Sequence, residues 1–318
     1  MKTLANLPAP RIAGPAQAGF LKFGVPRMRS PLLYVFLIVP VGYLIALVGF
    51  PVGYNLLMSV QEVNLGNIVT LARPFVGLDN YRAVLADPSF QKVFVNSLLF
   101  VGVNVIAQIG IGLAVALFFA RGFPGAQLLR GLLLAAWMLP ALVVGALWKW
   151  IFATEYGLAN AALSKLGLIG APIHWLSDPA VALTSVTIAN IWFGMPFSMI
   201  LIAAALMSIP KELYEAASLD GAGSFARFRY ITLPGLQATL FAVACLVTIY
   251  TMRAFDLIFA MTQGGPLDAS NVLPLLSYQF SFQQFKFDIG SAIGSFSFVI
   301  VFVVALIYVR TLKKEAIA

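Results

Sequence analysis

The sequence predicts an all-α, polytopic membrane protein with six transmembrane helices and a loop of short helices on the cytoplasmic side. Three observations carry that prediction. Hydrophobic residues fill 61% of the 318 positions and charged residues only 10%, against roughly a quarter charged in soluble domains. Six apolar runs are long enough to cross a bilayer core, which takes about 20 residues as helix. Lysine and arginine are distributed unevenly between alternate loops.

Residues 1–30 form a basic, proline-containing tail without the apolar core and small-residue cleavage pattern of a signal peptide. The runs then cover about 32–60, 93–120, 128–152, 180–207, 236–260 and 290–309. Pro40 and Pro51 in the first run and Pro196 in the fourth are expected to kink their helices. One transmembrane domain therefore spans 31–312, with a polar loop at 208–234 and a short cytoplasmic tail at 313–318.

Orientation follows from the positive charges. Thirteen gather on one side: Lys2, Arg11, Lys22, Arg27, Arg29, Arg121, Arg130, Lys211, Arg227, Arg229, Arg310, Lys313 and Lys314. The opposite loops hold five, Arg73, Arg82, Lys92, Lys165 and Lys286, while Lys149 and Arg253 sit within runs. Both termini and the 208–234 loop are thus expected in the cytoplasm. A net charge of +8 spread this way, without a basic aromatic face, argues against nucleic-acid binding.

Composition also limits chemistry. Cys245 and His174 are each alone of their kind, which removes disulfides within the chain, Cys- or His-rich metal sites and most nucleophile–histidine pairs. No G-x-S-x-G elbow occurs, and no Gly-Lys pair exists to build a phosphate-cradling loop. The expectation is no catalytic residue, no metal and no cofactor on this chain.

The 208–234 loop is legible physically. Pro210 suits a helix start, and residues 211–219 are rich in helix formers. Asp220-Gly221 then breaks the helix, since glycine permits positive φ and aspartate supports local turns. Ser224 is expected to cap a second turn carrying Phe225, Phe228 and Ile231 on one stripe. Pro234 marks entry to the fifth run.

Glu215-Ala216-Ala217, Asp220-Gly221-Ala222 and Ile231-x-Leu233-Pro234 resemble the cytoplasmic loop of permease subunits in bacterial binding-protein-dependent ABC importers, where it is the docking helix for the ATPase. Val76-Gly77-Leu78-Asp79-Asn80-Tyr81, Trp148-Lys149-Trp150-Ile151-Phe152, Gly157-Leu158-Ala159-Asn160 and Trp175-Leu176 are similar to the sugar-permease branch. So are Asn190-Ile191-Trp192 with Pro196-Phe197, Ser208-Ile209-Pro210 and Thr262-Gln263-Gly264-Gly265-Pro266. The resemblance covers about 31–312, and its Gly-Gly-Pro element matches the maltose, trehalose and glycerol-3-phosphate type. Gly235-Leu236-Gln237-Ala238 stands where the family commonly has another proline.

The resemblance implies that Glu215, Ala216, Ala217, Asp220, Gly221, Ala222, Phe228, Ile231 and Pro234 form the ATPase-coupling element. It also implies a bacterial inner-membrane location and four kinds of partner: a second homologous permease, two cytoplasmic ATPase subunits carrying ATP and magnesium, an extracytoplasmic solute-binding protein, and the bilayer. Transport would proceed by alternating access, with a sugar as substrate, a disaccharide or oligosaccharide, or else a glycerophosphodiester or glycerol 3-phosphate. An ion-coupled secondary transporter would need membrane carboxylates or inverted repeats, and the runs offer only Asp256. A membrane scaffold would need no polar residues inside its spans.

Such residues exist. Asn104 lies about 17 Å into the second run and Asn190 about 15 Å into the fourth, at 1.5 Å per residue, with Gln108 one turn beyond Asn104. Two readings are open: interhelical hydrogen bonds worth about 0.6 kcal/mol each, or contacts to sugar hydroxyls with Trp192 as a stacking surface. Tyr250, Arg253 and Asp256 complete the candidate substrate set. Arg253 and Asp256, three apart, are expected to share a helix face, so they can pair; three readings are open, an interior salt pair, an outer gate and a substrate contact. Trp148 and Trp150 read as interfacial anchors, and Gly290-x-x-x-Gly294 as a close helix crossing.

Overall fold

Helix dominates because apolar side chains cover nearly every run and leave backbone polar groups to satisfy one another. The computed structural model describes residues 31–69 and 72–315; the expected tail at 1–30 lies outside them, as does the 316–318 part of the expected tail at 313–318. Lys313, Lys314 and Glu315 continue the last helix. The chain divides into two units, 1–51 and 52–318. Within the first, α1 (Pro31–Leu44) passes through a π turn, Ile45–Gly49, into the start of α2 (Phe50–Met58), with no break at Pro40.

In the second unit, α3 (Asp79–Ala86) leads into α4 (Pro88–Ala120). Asp87 caps α4 by accepting from the Ser89 amide at 2.8 Å, with Pro88 in the first turn. The chain continues with α5 (Ala126–Trp137), α6 (Ala141–Ile151), α7 (Leu158–Lys165) and α8 (Ala182–Ser208), which runs unbroken through Pro196. After α8 come α9 (Lys211–Leu219), α10 (Ser224–Arg227), a π turn at Phe228–Thr232, α11 (Leu233–Gly235) and α12 (Gln237–Met252). The chain ends in α13 (Asp256–Met261), α14 (Leu273–Tyr278), a π turn at Gln279–Gln283 and α15 (Phe287–Glu315).

Among the described residues, four helices are long and apolar enough to cross a membrane: Phe36–Met58, Pro88–Ala120, Ala182–Ser208 and Phe287–Thr311. Two bent pairs reach that length and hydropathy only together, Ala126–Trp137 with Ala141–Ile151 at 100° and Ser224–Gly235 with Gln237–Met252 at 63°, giving up to six spans if each pair is one. The third expected span is therefore not one straight rod. Pro140 supplies the reason, because it lacks an amide donor and drives Leu139 away from helical backbone. The fifth span ends early, at Met252 rather than near residue 260. No breaker stands at that point. Packing decides it: Leu257, Ile258 and Met261 of α13 bury with Val144 of α6 and Val186 and Ala189 of α8 in one apolar cluster.

The α6–α13 contact is close because Gly145 carries no side chain. A Cβ there would lie 2.7 Å from Ala260 Cβ and 2.8 Å from the Leu257 carbonyl. Trp148 belongs to the same cluster, edge-on to Trp192 at 5.8 Å, and is not the surface anchor expected; Trp150 is exposed. The Gly290–Gly294 crossing is present, with Gly290 against Ser277 and Ser281 and the Ser277 hydroxyl donating to the Gly290 carbonyl at 2.7 Å. Gly145→Ala is expected to lower the melting temperature of the protein in detergent, an overpacking cost of about 1–3 kcal/mol. Adding Ala260→Gly should restore part of it, and an unchanged melting temperature in the single variant would show that α6 and α13 do not pack as described.

Candidate functional site

Two sites emerge, one at the 208–234 loop and one in a cavity between helices. The loop is built as the sequence suggests, with two corrections, at the start of α10 and along its expected stripe. Helix α9 ends at Gly221, whose φ of +77° is the left-handed conformation that glycine adopts without penalty. The Ala222 amide donates to the Ala217 carbonyl at 2.8 Å and the Gly221 amide to Ser218 at 3.1 Å, the paired bonds of a Schellman turn. Ser224 does not cap α10. Gly223 occupies that position without a side-chain bond, and Arg227 instead reaches back to the Ser218 hydroxyl at 2.9 Å.

The loop is also tied to the helices behind it. The Tyr214 and Thr232 hydroxyls lie 2.9 Å apart. Tyr214 and Ile231 pack against the apolar cluster of Ile209, Ile202, Leu236 and Val243. On the outer side Glu215, Ala216, Asp220 and Pro234 are exposed, as are Leu213, Leu219 and Phe225. Phe225 therefore parts company with Phe228 and Ile231, which are half-buried. The π turn from Phe228 shifts the helical phase and breaks the expected stripe.

The cavity, about 310 Å³, is lined from α4, α5, α6, α8, α12, the 253–255 break and α13, at the lower end of the range for small-molecule pockets. Its aromatic wall runs from Trp137 to Phe197, stacked at 5.4 Å, and on to Tyr250, edge-on at 5.5 Å. Tyr250 is 58% exposed. Asn190, Phe193, Gly194 and Phe197 reach the cavity from one face of α8 at helical spacing. Trp192 does not join them. Two residues from Asn190 is the opposite face of a helix, and Trp192 lines an apolar groove with Phe118 and Leu132.

The three mid-span amides form a closed node. Asn104 is fully buried, and its carbonyl oxygen accepts from Asn190 Nδ2 at 2.7 Å and Gln108 Nε2 at 3.0 Å. Its own amide donates to the Phe100 carbonyl at 2.7 Å, and Gln108 Nε2 also reaches the Asn190 carbonyl at 3.2 Å. Asn104 is thus committed to joining α4 and α8, while Gln108 and Asn190 also touch the cavity edge.

Arg253 and Asp256 both line the cavity and both are exposed, but no ion pair joins them. The shared helix face that would allow pairing assumed one continuous helix. Helix α12 stops at Met252 and α13 starts at Asp256, so their spacing spans a break. Reading the sequence as unbroken spans also missed Trp137, although Pro140 three residues later marked the turn that places it. Among the described residues, no group of three His, Cys, Asp or Glu converges on a metal geometry.

Residues 108–315 match the family described as the binding-protein-dependent transport system inner membrane component. The chain belongs to that family. It is 37% identical over 238 residues to the trehalose/maltose transport system permease protein MalF of Thermococcus litoralis, covering 75% of this chain and 80% of that one. It is 32% identical over 285 residues to the diacetylchitobiose uptake system permease protein DasB of Streptomyces coelicolor, covering 89% and 87%. A crystal structure of a bacterial ABC transporter involved in import of the acidic polysaccharide alginate holds a chain with the same fold. The TM-score is 0.76 at 22% identity, over 89% of this chain and 95% of that one. The permease is accordingly a multi-pass inner-membrane subunit of a transport system.

Replacing Asn104 with Leu would leave the Gln108 and Asn190 amides without their shared acceptor. The permease should lose about 1–3 kcal/mol of stability, the cost of stranding buried polar groups, read as a lower melting temperature in detergent. The substrate concentration for half-maximal uptake should stay as in the wild type. A raised half-saturation at unchanged stability would instead make Asn104 a substrate ligand.

Proposed function

We propose that this permease forms, with a second homologous permease, the pathway of an ATP-driven importer for a sugar, a disaccharide or short oligosaccharide handed over by an extracytoplasmic binding protein. The carbohydrate substrates named for its relatives support the class, and the cavity supports it chemically. Aromatic faces at Trp137, Phe197 and Tyr250 suit the apolar face of a pyranose, and Arg253 and Asp256 suit its hydroxyls.

Hydrolysis belongs to separate ATPase subunits, two per transporter, which carry ATP and magnesium on the cytoplasmic side, where both termini of this permease also lie. The observation that carries this reading is the loop at 208–234. It exposes Leu213, Leu219 and Phe225 on a scaffold fixed by the Schellman turn and the Tyr214–Thr232 contact. A preformed apolar knob rimmed by Glu212, Glu215 and Asp220 fits a cleft on a partner. Closure of the ATPase dimer around ATP pushes α9. Because Tyr214 and Ile231 pack into the cluster that holds α8 and α12, the push reaches the helices that line the cavity, which then opens to the opposite side.

The left-handed turn makes this testable. Nothing lies within 4 Å of a Cβ at Gly221, so backbone conformation and not space decides what is tolerated there. Gly221→Val should sharply reduce uptake and abolish stimulation of ATP hydrolysis by the loaded binding protein in reconstituted vesicles. Left-handed backbone costs such a residue about 1–2 kcal/mol. Gly221→Asn should stay near wild type, since asparagine visits that conformation. Equal activity of the valine and asparagine variants would remove the turn from the coupling mechanism.

A further inference from the structure

Resting on the reading of the cavity as the sugar's passage, one feature of its lining goes further. Among the described residues, the only charged ones on the wall are Arg253 and Asp256. They are opposite in sign, both exposed, and free of each other, since no ion pair joins them. Neither belongs to the buried amide node or the apolar clusters. The fold holds them apart: Arg253 closes α12 while Asp256 opens α13, with Ala254 and Phe255 between them, and α13 is pinned by Leu257 and Ile258 against α6.

We infer that Arg253 and Asp256 are a selectivity pair that keeps the passage electrically neutral, so that it admits uncharged polyhydroxylated ligands and discriminates against anionic ones. An arginine alone in a partly desolvated cavity of this size would favour carboxylates, sulfonates and phosphates, because guanidinium donates two parallel bonds to them. Asp256 cancels that preference and repels such groups directly. Kept apart, each head group still offers hydrogen bonds to hydroxyls, with arginine donating and aspartate accepting. The aromatic wall of Trp137, Phe197 and Tyr250 adds surface without charge.

The charge of the passage can be read with thiol reagents of opposite sign. In a Cys245→Ser background, which removes the single native cysteine, Ala254→Cys places a thiol between the two charges. The complete transporter is assembled in lipid nanodiscs. An anionic sulfonate and a cationic ammonium methanethiosulfonate then modify it, with rates normalised to a free thiol in solution. The wild-type lining should show no strong preference. Asp256→Asn should shift the ratio toward the anionic reagent by about three- to tenfold, as expected of one charge at short range in a medium between water and protein. Arg253→Gln should shift it the other way, and the double variant should return it to the starting value.

Uptake gives the second readout, with trehalose as the neutral probe and a uronic-acid disaccharide as the anionic one. Asp256→Asn should raise uptake of the uronate relative to trehalose several-fold. Thiol rates that ignore both substitutions would overturn the inference. So would thiol rates that respond while the uptake ratio stays fixed, since selection would then lie outside the cavity. If modification at position 254 leaves trehalose uptake intact, the cavity is not the passage, and both that reading and the inference fall.

Discussion

The buried amide node between α4 and α8 is the constraint from which the rest of the molecule takes its geometry. In a bilayer, lipid tails are as apolar as leucine, so burying hydrophobic surface gives helices little reason to choose one partner or register. Asn104, fixed by Phe100 on its own helix and accepting from Asn190 on the other, supplies that register. One helical turn pair deeper, Gly112 brings α4 within reach of Ser198, where a Cβ would lie 2.9 Å from that serine's Cβ. A polar node and a small-residue crossing together make this the most extensive helix pair in the permease.

Helix α8 then serves two ends. Its central face, from Asn190 through Phe193 to Phe197, lines the cavity. Its far end passes through Ile209 and Pro210 directly into α9, and Ile202, Ile209 and Leu236 hold that junction in one apolar cluster with Tyr214 and Ile231 packed against it. Under the proposed coupling, a displacement of α9 would be felt along α8, because close-packed interiors shift between discrete arrangements rather than deform continuously.

How much of this was legible beforehand depends on what kind of signal each element sends. Helix α9 and its turn were readable because they are local: helix formers from Lys211, a stop at Asp220-Gly221, and a glycine needed for positive φ. The Asn104–Gln108–Asn190 set was found from polarity inside apolar runs, although sequence alone left its role open between helix bonding and ligand binding. The breaks were harder. Pro140 announced the bend after Trp137, but hydropathy averaged across it. The end of α12 at Met252 carries no local mark at all, because it follows from the fit of α13 against Gly145 of α6. That unseen break is why Arg253 and Asp256 read as sharing one helix face, and why the cavity wall, assembled from seven separated segments, could not be listed from periodicity.

The proposed coupling requires α8 and α9 to move as one body. Spin labels at Glu212→Cys on α9 and Ile200→Cys on α8, both exposed positions, in the Cys245→Ser background would measure it by double electron–electron resonance on the working transporter. The distance between them should be the same in the nucleotide-free and ATP-bound states while the transporter imports sugar. A distance that changes with ATP would mean that the loop pivots at Ile209–Pro210, and that force reaches the cavity by another route.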